Sequence, residues 1–173
     1  VEVEVSFVKT GETTQEPDTM TFSDVKAGDW FYDAVLYAYE NGLMSGTGAA
    51  AFSPNQTLTR AMVAQVLYSM EGAPAGGTST FTDVAAGTWY ASAVNWAAAN
   101  GVVSGYGDGT FGPNDNVTRE QVAMILYSFA KSKGYDVSEK ASLSSFADMS
   151  SVSTYAQEAM SWAAGAGLIS GMG

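Results

Sequence analysis

The chain has 173 residues, a formal net charge of −11, and neither cysteine nor histidine. Apolar residues make up 46% of it, enough to build a hydrophobic core, which argues against wholesale disorder. Disulfides and thiolate metal sites are excluded, and the usual proton shuttle at neutral pH is missing. The negative charge argues against nucleic acid as a partner, and no apolar run reaches the roughly 20 residues that insertion into a membrane requires. No cofactor is implied.

Residues 1–21 precede the rest as a separate segment. Val1–Val8 alternates valine with glutamate at its start, which predicts a short N-terminal strand with one apolar face. The polar stretch Thr10–Thr21 predicts a linker. We interpret the strand either as the tail of an upstream domain or as a strand that docks on the helices that follow.

The remainder of the chain is an internal repeat with a period of 59 residues. Phe22–Ser69 aligns with Phe81–Ser128 without a gap, and 24 of the 48 aligned positions are identical. A third copy starts at Phe146 and, after a slip of one residue, continues to Ser170 and Gly171. The predicted repeats span residues 22–72, 81–131 and 146–173, and the last contains only the first half of the pattern.

Each complete repeat predicts a helix, a loop and a second helix. Apolar residues at i, i+3, i+4 and i+7 mark one buried stripe on each helix. Gly42 and Gly101 are placed to end the first helix in a left-handed conformation. Thr59 and Thr118 are N-caps of the second helix, and Thr118 forms a capping-box pattern with Gln121. Because one repeat cannot bury both stripes alone, we expect the repeats to stack.

The chain's two arginines, Arg60 and Arg119, both fall at the first position of a predicted helix. The helix dipole disfavours a cation there, so the placement calls for an explanation. Free N–H groups, the positive end of the dipole and a guanidinium together form an anion site, suited to a carboxylate or phosphate on a sugar. Alternatively, each arginine bridges to Asp24, Asp83 or Asp148 of a neighbouring repeat. Both interpretations can hold together.

Aromatic residues supply further candidates for ligand binding. Trp30 and Trp89 start a helix beside a glycine-bearing loop, and together with Tyr106 they offer flat faces on which sugar rings stack. The alternative for each is packing within or between repeats. Trp162 lies mid-helix at the position of Tyr37 and Trp96, and we assign all three to packing.

The aspartates Asp24, Asp83 and Asp148 occupy equivalent places in the three repeats. One interpretation is a hydrogen bond that fixes a turn or the entry to a helix. The other is a polar contact with sugar hydroxyls. The sequence leaves both open.

The motifs in Phe22–Gly173 resemble the S-layer homology family. They are Phe-x-Asp-Val, Trp with a following Ala-Val, Asn-Gly-x-x-Ser-Gly, Gly-x-Phe-x-Pro-Asn and Thr-Arg, in fixed order. Gly101–Phe111 is similar to the family consensus, so Asp108 and Gly109 join the candidate ligand-binding residues. The family's Thr-Arg-Ala-Glu reads Thr-Arg-Ala-Met from Thr59 and Thr-Arg-Glu-Gln from Thr118.

The resemblance implies a mainly α fold, in which tandem helix-loop-helix repeats form a pseudo-threefold prism around a central helical bundle. It also implies non-enzymatic anchoring of an exported protein to the bacterial cell wall or S-layer surface, by binding an anionic, often pyruvylated, secondary cell-wall polysaccharide. One alternative is a structural module for protein contacts or self-association. A remote alternative is a glycoside hydrolase, which requires two carboxylates about 5–10 Å apart.

Overall fold

A computed structural model describes residues 20–75, 77–78 and 81–171, and it is mainly helical, as the sequence predicts. The predicted strand at Val1–Val8 lies outside the described residues. Three short 3-10 turns lie between the last two helices, at Leu143–Ser145, Met149–Ser151 and Thr154–Ala156. The α-helices are α1 (Tyr32–Glu40), α2 (Arg60–Met70), α3 (Ala91–Ala99), α4 (Arg119–Ser132) and α5 (Gln157–Gly165).

The chain divides into two compact units, the first ending at Pro54 and the second beginning at Asn55. In the first unit, α1 buries Val35 from its apolar stripe, together with Phe22 and Val25 from the preceding loop. The ring of Phe22 meets Tyr39 edge-on, with ring centroids 5.2 Å apart. This small aromatic cluster fixes the loop before α1 against the helix.

The second unit contains α2, α3, α4 and α5. Leu67 of α2, Val94 and Trp96 of α3, and Ile125 of α4 share one hydrophobic core around the fully buried Phe111. Thus α2, which belongs to the first sequence repeat, packs with α3 of the second. The stripes that one repeat cannot bury are covered by its neighbour, as expected for a repeat array.

A second core joins α4 to α5. Ala123 and Tyr127 of α4 pack against Trp162 and Ala163 of α5, and the rings of Tyr127 and Trp162 lie 5.5 Å apart. Trp96 and Trp162 are each only 7% exposed, which confirms their assignment to packing, whereas Tyr37 at the same position of α1 is 48% exposed.

The predicted glycine and threonine caps are confirmed, whereas Trp30 and Trp89 do not start a helix but lie in the turns before α1 and α3. Gly42 and Gly101 have φ of 65° and 67°, so each adopts the left-handed conformation that glycine takes without strain. The Thr59 hydroxyl accepts from the N–H of Met62. At α4, Thr118 and Gln121 bond reciprocally as a capping box. These threonines fix the start of α2 and α4, and with it the position of the arginine that follows.

Asp83 holds the loop between α3 and α4. Its two carboxylate oxygens accept from the N–H groups of Phe111 and Gly112, each at 2.8 Å. Asp24 does the same in the first unit, where it accepts from the N–H groups of Phe52 and Ser53. The turn interpretation of these two aspartates is therefore observed.

We predict that Asp83→Ala lowers the free energy of unfolding by about 1–3 kcal/mol, because two backbone N–H groups lose their acceptor. Burial raises the pKa of Asp83, but the N–H groups of Phe111 and Gly112 outweigh it and hold the pKa below its usual value. The carboxylate's contribution is therefore present above the ordinary pKa of aspartate and lost as the pH falls through the folded value. Urea unfolding of Asp83→Asn should show a weaker loss of stability in acid than the unchanged chain. The exposed Glu139→Gln is the matched control, and an equal acid response in all three proteins would contradict the prediction.

Candidate functional site

The larger groove of the second unit has a volume of about 570 Å³ and is called here the Arg60 groove. It lies between the loop 101–106, which follows α3, and one face of α4. Arg60 from the start of α2 and Tyr155 from the turn before α5 complete it. Three sequence repeats therefore contribute to one groove. Its lining residues are Arg60, Gly101, Val102, Val103, Ser104, Gly105, Tyr106, Gln121, Met124, Ile125, Ser128 and Tyr155.

Arg60 is a buried cation, with 7% of its surface exposed. Its Nε donates to the carbonyl of Phe111 and its Nη2 to the carbonyl of Ser104, each at 2.8 Å. The guanidinium carbon lies 4.7 Å from the ring centroids of both Tyr106 and Phe111. The group is therefore fixed by two hydrogen bonds and two cation–π contacts, all made to the following repeat.

The predicted bridge from arginine to aspartate is not formed with Asp83 or Asp148. The ion pairs described in this unit are Lys133–Glu71 and Lys140–Glu158. The carboxylate of Asp83 instead accepts hydrogen bonds from two backbone N–H groups. Arg60 thus carries a buried positive charge that no carboxylate of the described second unit neutralises by direct contact.

The prediction of free N–H groups at the start of α2 is wrong. The N–H of Arg60 donates to the carbonyl of Asp115, and that of Ala61 to the carbonyl of Pro113. The turn after Gly112 therefore covers this helix end, and its carbonyls replace an external anion. The residues near the N-cap do not predict these long-range hydrogen bonds. What remains available at Arg60 is the guanidinium itself.

Tyr106 is half exposed and forms one wall of the Arg60 groove. Its hydroxyl donates to Oδ2 of Asp115 at 2.8 Å. Burial and this carboxylate raise the pKa of Tyr106, so the phenol is neutral at physiological pH. The ring therefore contacts the Arg60 guanidinium and lines the groove.

Arg119 has different surroundings from Arg60, although both follow a capping threonine. It is exposed, and its Nη2 donates to the carbonyl of Ser170. It lines a smaller groove of about 340 Å³ whose other walls are largely aliphatic, called here the Arg119 groove. The remaining lining residues are Leu58, Val117, Thr118, Val122, Leu168 and Ile169.

The other candidates do not line either groove. Trp30 and Trp89 are 94% and 60% exposed, so neither is buried in a core, although each ring meets the aromatic ring of the next residue edge-on. Asp108 and Gly109 form the tip of a turn, where the Asp108 carboxylate accepts from the hydroxyl and N–H of Thr110. These bonds hold the pKa of Asp108 below its usual value.

Asp148 differs from its counterparts in the first two repeats. It lies immediately before the 3-10 turn Met149–Ser151, and its side chain does not cap that turn. Among the described residues, no cluster of three or more aspartates or glutamates is arranged to hold a metal ion.

Sequence reasoning missed Tyr155 and Glu120 as parts of the site. Tyr155 stands in the third repeat where the first two have Trp30 and Trp89, once the one-residue slip is applied. That alignment could have identified Tyr155 as a candidate site residue. Glu120 carried no such signal, because its three hydrogen-bond donors lie on Ser153 and Tyr155, more than 30 residues away.

The family model of the S-layer homology domain matches residues 21–62, 80–123 and 145–173. The chain belongs to this family. Membership places it at a cell-wall or S-layer surface and gives it an anchoring role there. Within the described residues, no helix combines the length and apolar character needed to cross a membrane.

Similar proteins include an endoglucanase of Bacillus sp. (strain KSM-635), 33% identical over 80% of this chain and 15% of that protein. The exoglucanase XynX of Acetivibrio thermocellus is 31% identical over 88% of the chain and 14% of its own length. The surface-layer 125 kDa protein of Lysinibacillus sphaericus is 30% identical over 84% of the chain and 12% of its own length. The chain thus spans only a small part of each relative, and the shared part is the anchoring domain.

We predict that Arg60→Lys lowers the free energy of unfolding by about 1–3 kcal/mol. An ammonium keeps the charge but cannot bond both carbonyls and stack on two rings. Arg119→Lys is the matched control, since that side chain is exposed and its one hydrogen bond among the described residues is to Ser170. Chemical denaturation of both variants checks the difference, and equal losses at the two positions would refute the assignment of Arg60 to the joint between repeats.

Proposed function

We propose that this chain holds a larger surface protein on the bacterial wall by binding an anionic secondary cell-wall polysaccharide, with an acidic sugar unit in the Arg60 groove. One observation carries the proposal: a buried guanidinium that faces a groove without a carboxylate partner in the described second unit. Burying an uncompensated charge is costly, and a ligand carboxylate or phosphate offsets that cost.

The remaining donors of Arg60 support this assignment. Nε and Nη2 are used within the protein, whereas Nη1 has no acceptor among the described residues. A fixed guanidinium with a free N–H edge suits a planar carboxylate, and charge-assisted hydrogen bonds of this kind are stronger than neutral ones. We therefore infer that the acidic group is a carboxylate, such as the pyruvate ketal that decorates some wall sugars.

The rest of the groove suits a sugar. Tyr106 and Tyr155 present aromatic rings, and Ser104 and Gln121 carry polar groups for hydroxyls. A volume of about 570 Å³ falls within the range of small-ligand sites. Because none of the lining residues is Asp or Glu, the groove does not carry the carboxylate pair that a glycoside hydrolase requires.

Self-association is a second candidate, carried by the Arg119 groove. Leu58 and Leu168 line it and are 39% and 53% exposed. On this second candidate, the aliphatic walls of the groove contact another copy of the chain instead of the glycan. Light scattering over a range of concentrations tests this candidate, and a monomer at every concentration would rule it out.

We predict that the chain binds purified sacculi of its source bacterium and that hydrofluoric acid extraction of the secondary polymer abolishes binding. Arg60→Lys and Arg119→Ala should each weaken binding by about tenfold, the loss expected for one charge-assisted contact. Rising salt should weaken binding further, since the contact is ionic. The assay is equilibrium depletion of the folded variants onto sacculi.

Arg60→Lys keeps the charge, so a charge control is needed only for Arg119→Ala. That control is Lys131→Ala, which removes an equal charge from α4 at a position that lines neither groove. Its affinity should equal that of the unchanged chain. Equal binding to sacculi before and after extraction would overturn the polymer as the ligand. Unchanged affinity of a folded Arg60→Lys variant would overturn the site.

A further inference from the structure

Glu120, in the first turn of α4, is bonded entirely to the third repeat. Its Oε2 accepts from the N–H of Ser153 at 2.9 Å. Its Oε1 accepts from the Ser153 hydroxyl at 2.9 Å and from the Tyr155 hydroxyl at 3.0 Å. The N–H of Ser153 and the two hydroxyls together hold the pKa of Glu120 below its usual value. The carboxylate is therefore ionised at neutral pH, and its bonds are charge-assisted.

This contact is peculiar to the second repeat. At the same position the first repeat has Ala61, which is fully buried and whose N–H donates to the carbonyl of Pro113. The Thr-Arg-Ala-Glu pattern likewise has alanine there. A glutamate at this place therefore serves something other than the shared architecture of the repeats.

Tyr155 is the residue through which Glu120 reaches the site. Tyr155 is 58% exposed and lines the Arg60 groove together with Gln121 and the loop 101–106. Tyr155 belongs to a short 3-10 turn, which on its own does not restrict the side chain to one rotamer. The bond from its hydroxyl to Glu120 ties the far end of the ring, so the ring face is presented to the groove in one orientation.

We propose that Glu120 is a positioning residue that fixes Tyr155 as an aromatic wall of the Arg60 groove, so that an acidic sugar meets the guanidinium and a ring face together. The inference rests on the proposed function for the identity of the ligand. The contact between Glu120 and Tyr155 is independent of the proposed function. Fixing the ring before binding removes part of the entropy cost of ordering it with the ligand.

A double-mutant cycle on binding to sacculi tests the proposal. Glu120→Ala should weaken binding about 5-fold and Tyr155→Ala about 10-fold, the scale of one coupled contact. The double variant should bind no worse than Tyr155→Ala alone, because Glu120 has then lost the residue it positions. Tyr155→Phe keeps the ring but loses the bond, and it should match Glu120→Ala. Glu139→Ala changes the charge equally at an exposed site and should have no effect.

Fully additive losses in the double variant would overturn the proposal, and so would unchanged affinity in Glu120→Ala. Thermal unfolding of every variant shows that the losses come from folded protein. A merely structural role of Glu120 would lower stability without coupling to Tyr155 in the affinity.

Hydrogen exchange of the ligand-free chain tests the contact without any glycan. The Ser153 amide should exchange faster in Glu120→Ala, while the core of α4 keeps its protection. Unchanged exchange at Ser153 would overturn the positioning role even if the chain binds walls. Failure of the unchanged chain to bind sacculi would overturn the proposed function. It would also overturn the part of this inference that concerns an acidic sugar, but not the contact between Glu120 and Tyr155.

Discussion

The guanidinium of Arg60 joins two repeats and forms the floor of the groove between them. It bonds the carbonyls of Ser104 and Phe111 and lies against the rings of Tyr106 and Phe111. These partners all come from the loop after α3, so the start of α2 and that loop hold each other in place. The loop also returns carbonyls to the first N–H groups of α2. Neither element would keep its conformation without the other, and the groove exists because both are fixed.

Local features of the fold were predictable from the sequence because their causes are local. Thr118 and Gln121 form a capping box across three residues, and Gly101 ends a helix through its own φ. The stripes predicted the buried faces of α3 and α4, since helical spacing fixes a face. In the stripes of α1 and α2, however, Ala34 and Met70 are exposed. The backbone N–H groups of Arg60 and Ala61 were wrongly predicted to be free. Their acceptors lie more than 50 residues away, on the turn that ends at Asp115. The residues around an N-cap do not indicate whether a distant carbonyl will contact the helix end in the tertiary structure.

The two arginines show how a repeated motif acquires different surroundings. Each follows a capping threonine, and each donates to the carbonyl of a serine in the next repeat, Ser104 or Ser170. Yet Arg60 is buried between aromatic rings and Arg119 is exposed beside aliphatic side chains. The motif specifies the backbone position and the direction of the side chain. The chemistry of the groove comes from the residues that the neighbouring repeat places around it, so identical motifs need not bind identical ligands.

A residue that stabilises the joint between repeats can also bind a ligand, provided the two roles use different atoms. Nε and Nη2 of Arg60 face carbonyls of the protein, and these bonds are made before any ligand arrives. The guanidinium therefore loses little freedom on binding, unlike a flexible surface lysine. The carboxylate of Glu120 likewise links two repeats, and the positioning role that we propose for it uses the same bond to the Tyr155 hydroxyl. Under the proposed function, the contacts that hold the repeats together also fix the groups that bind the wall polymer.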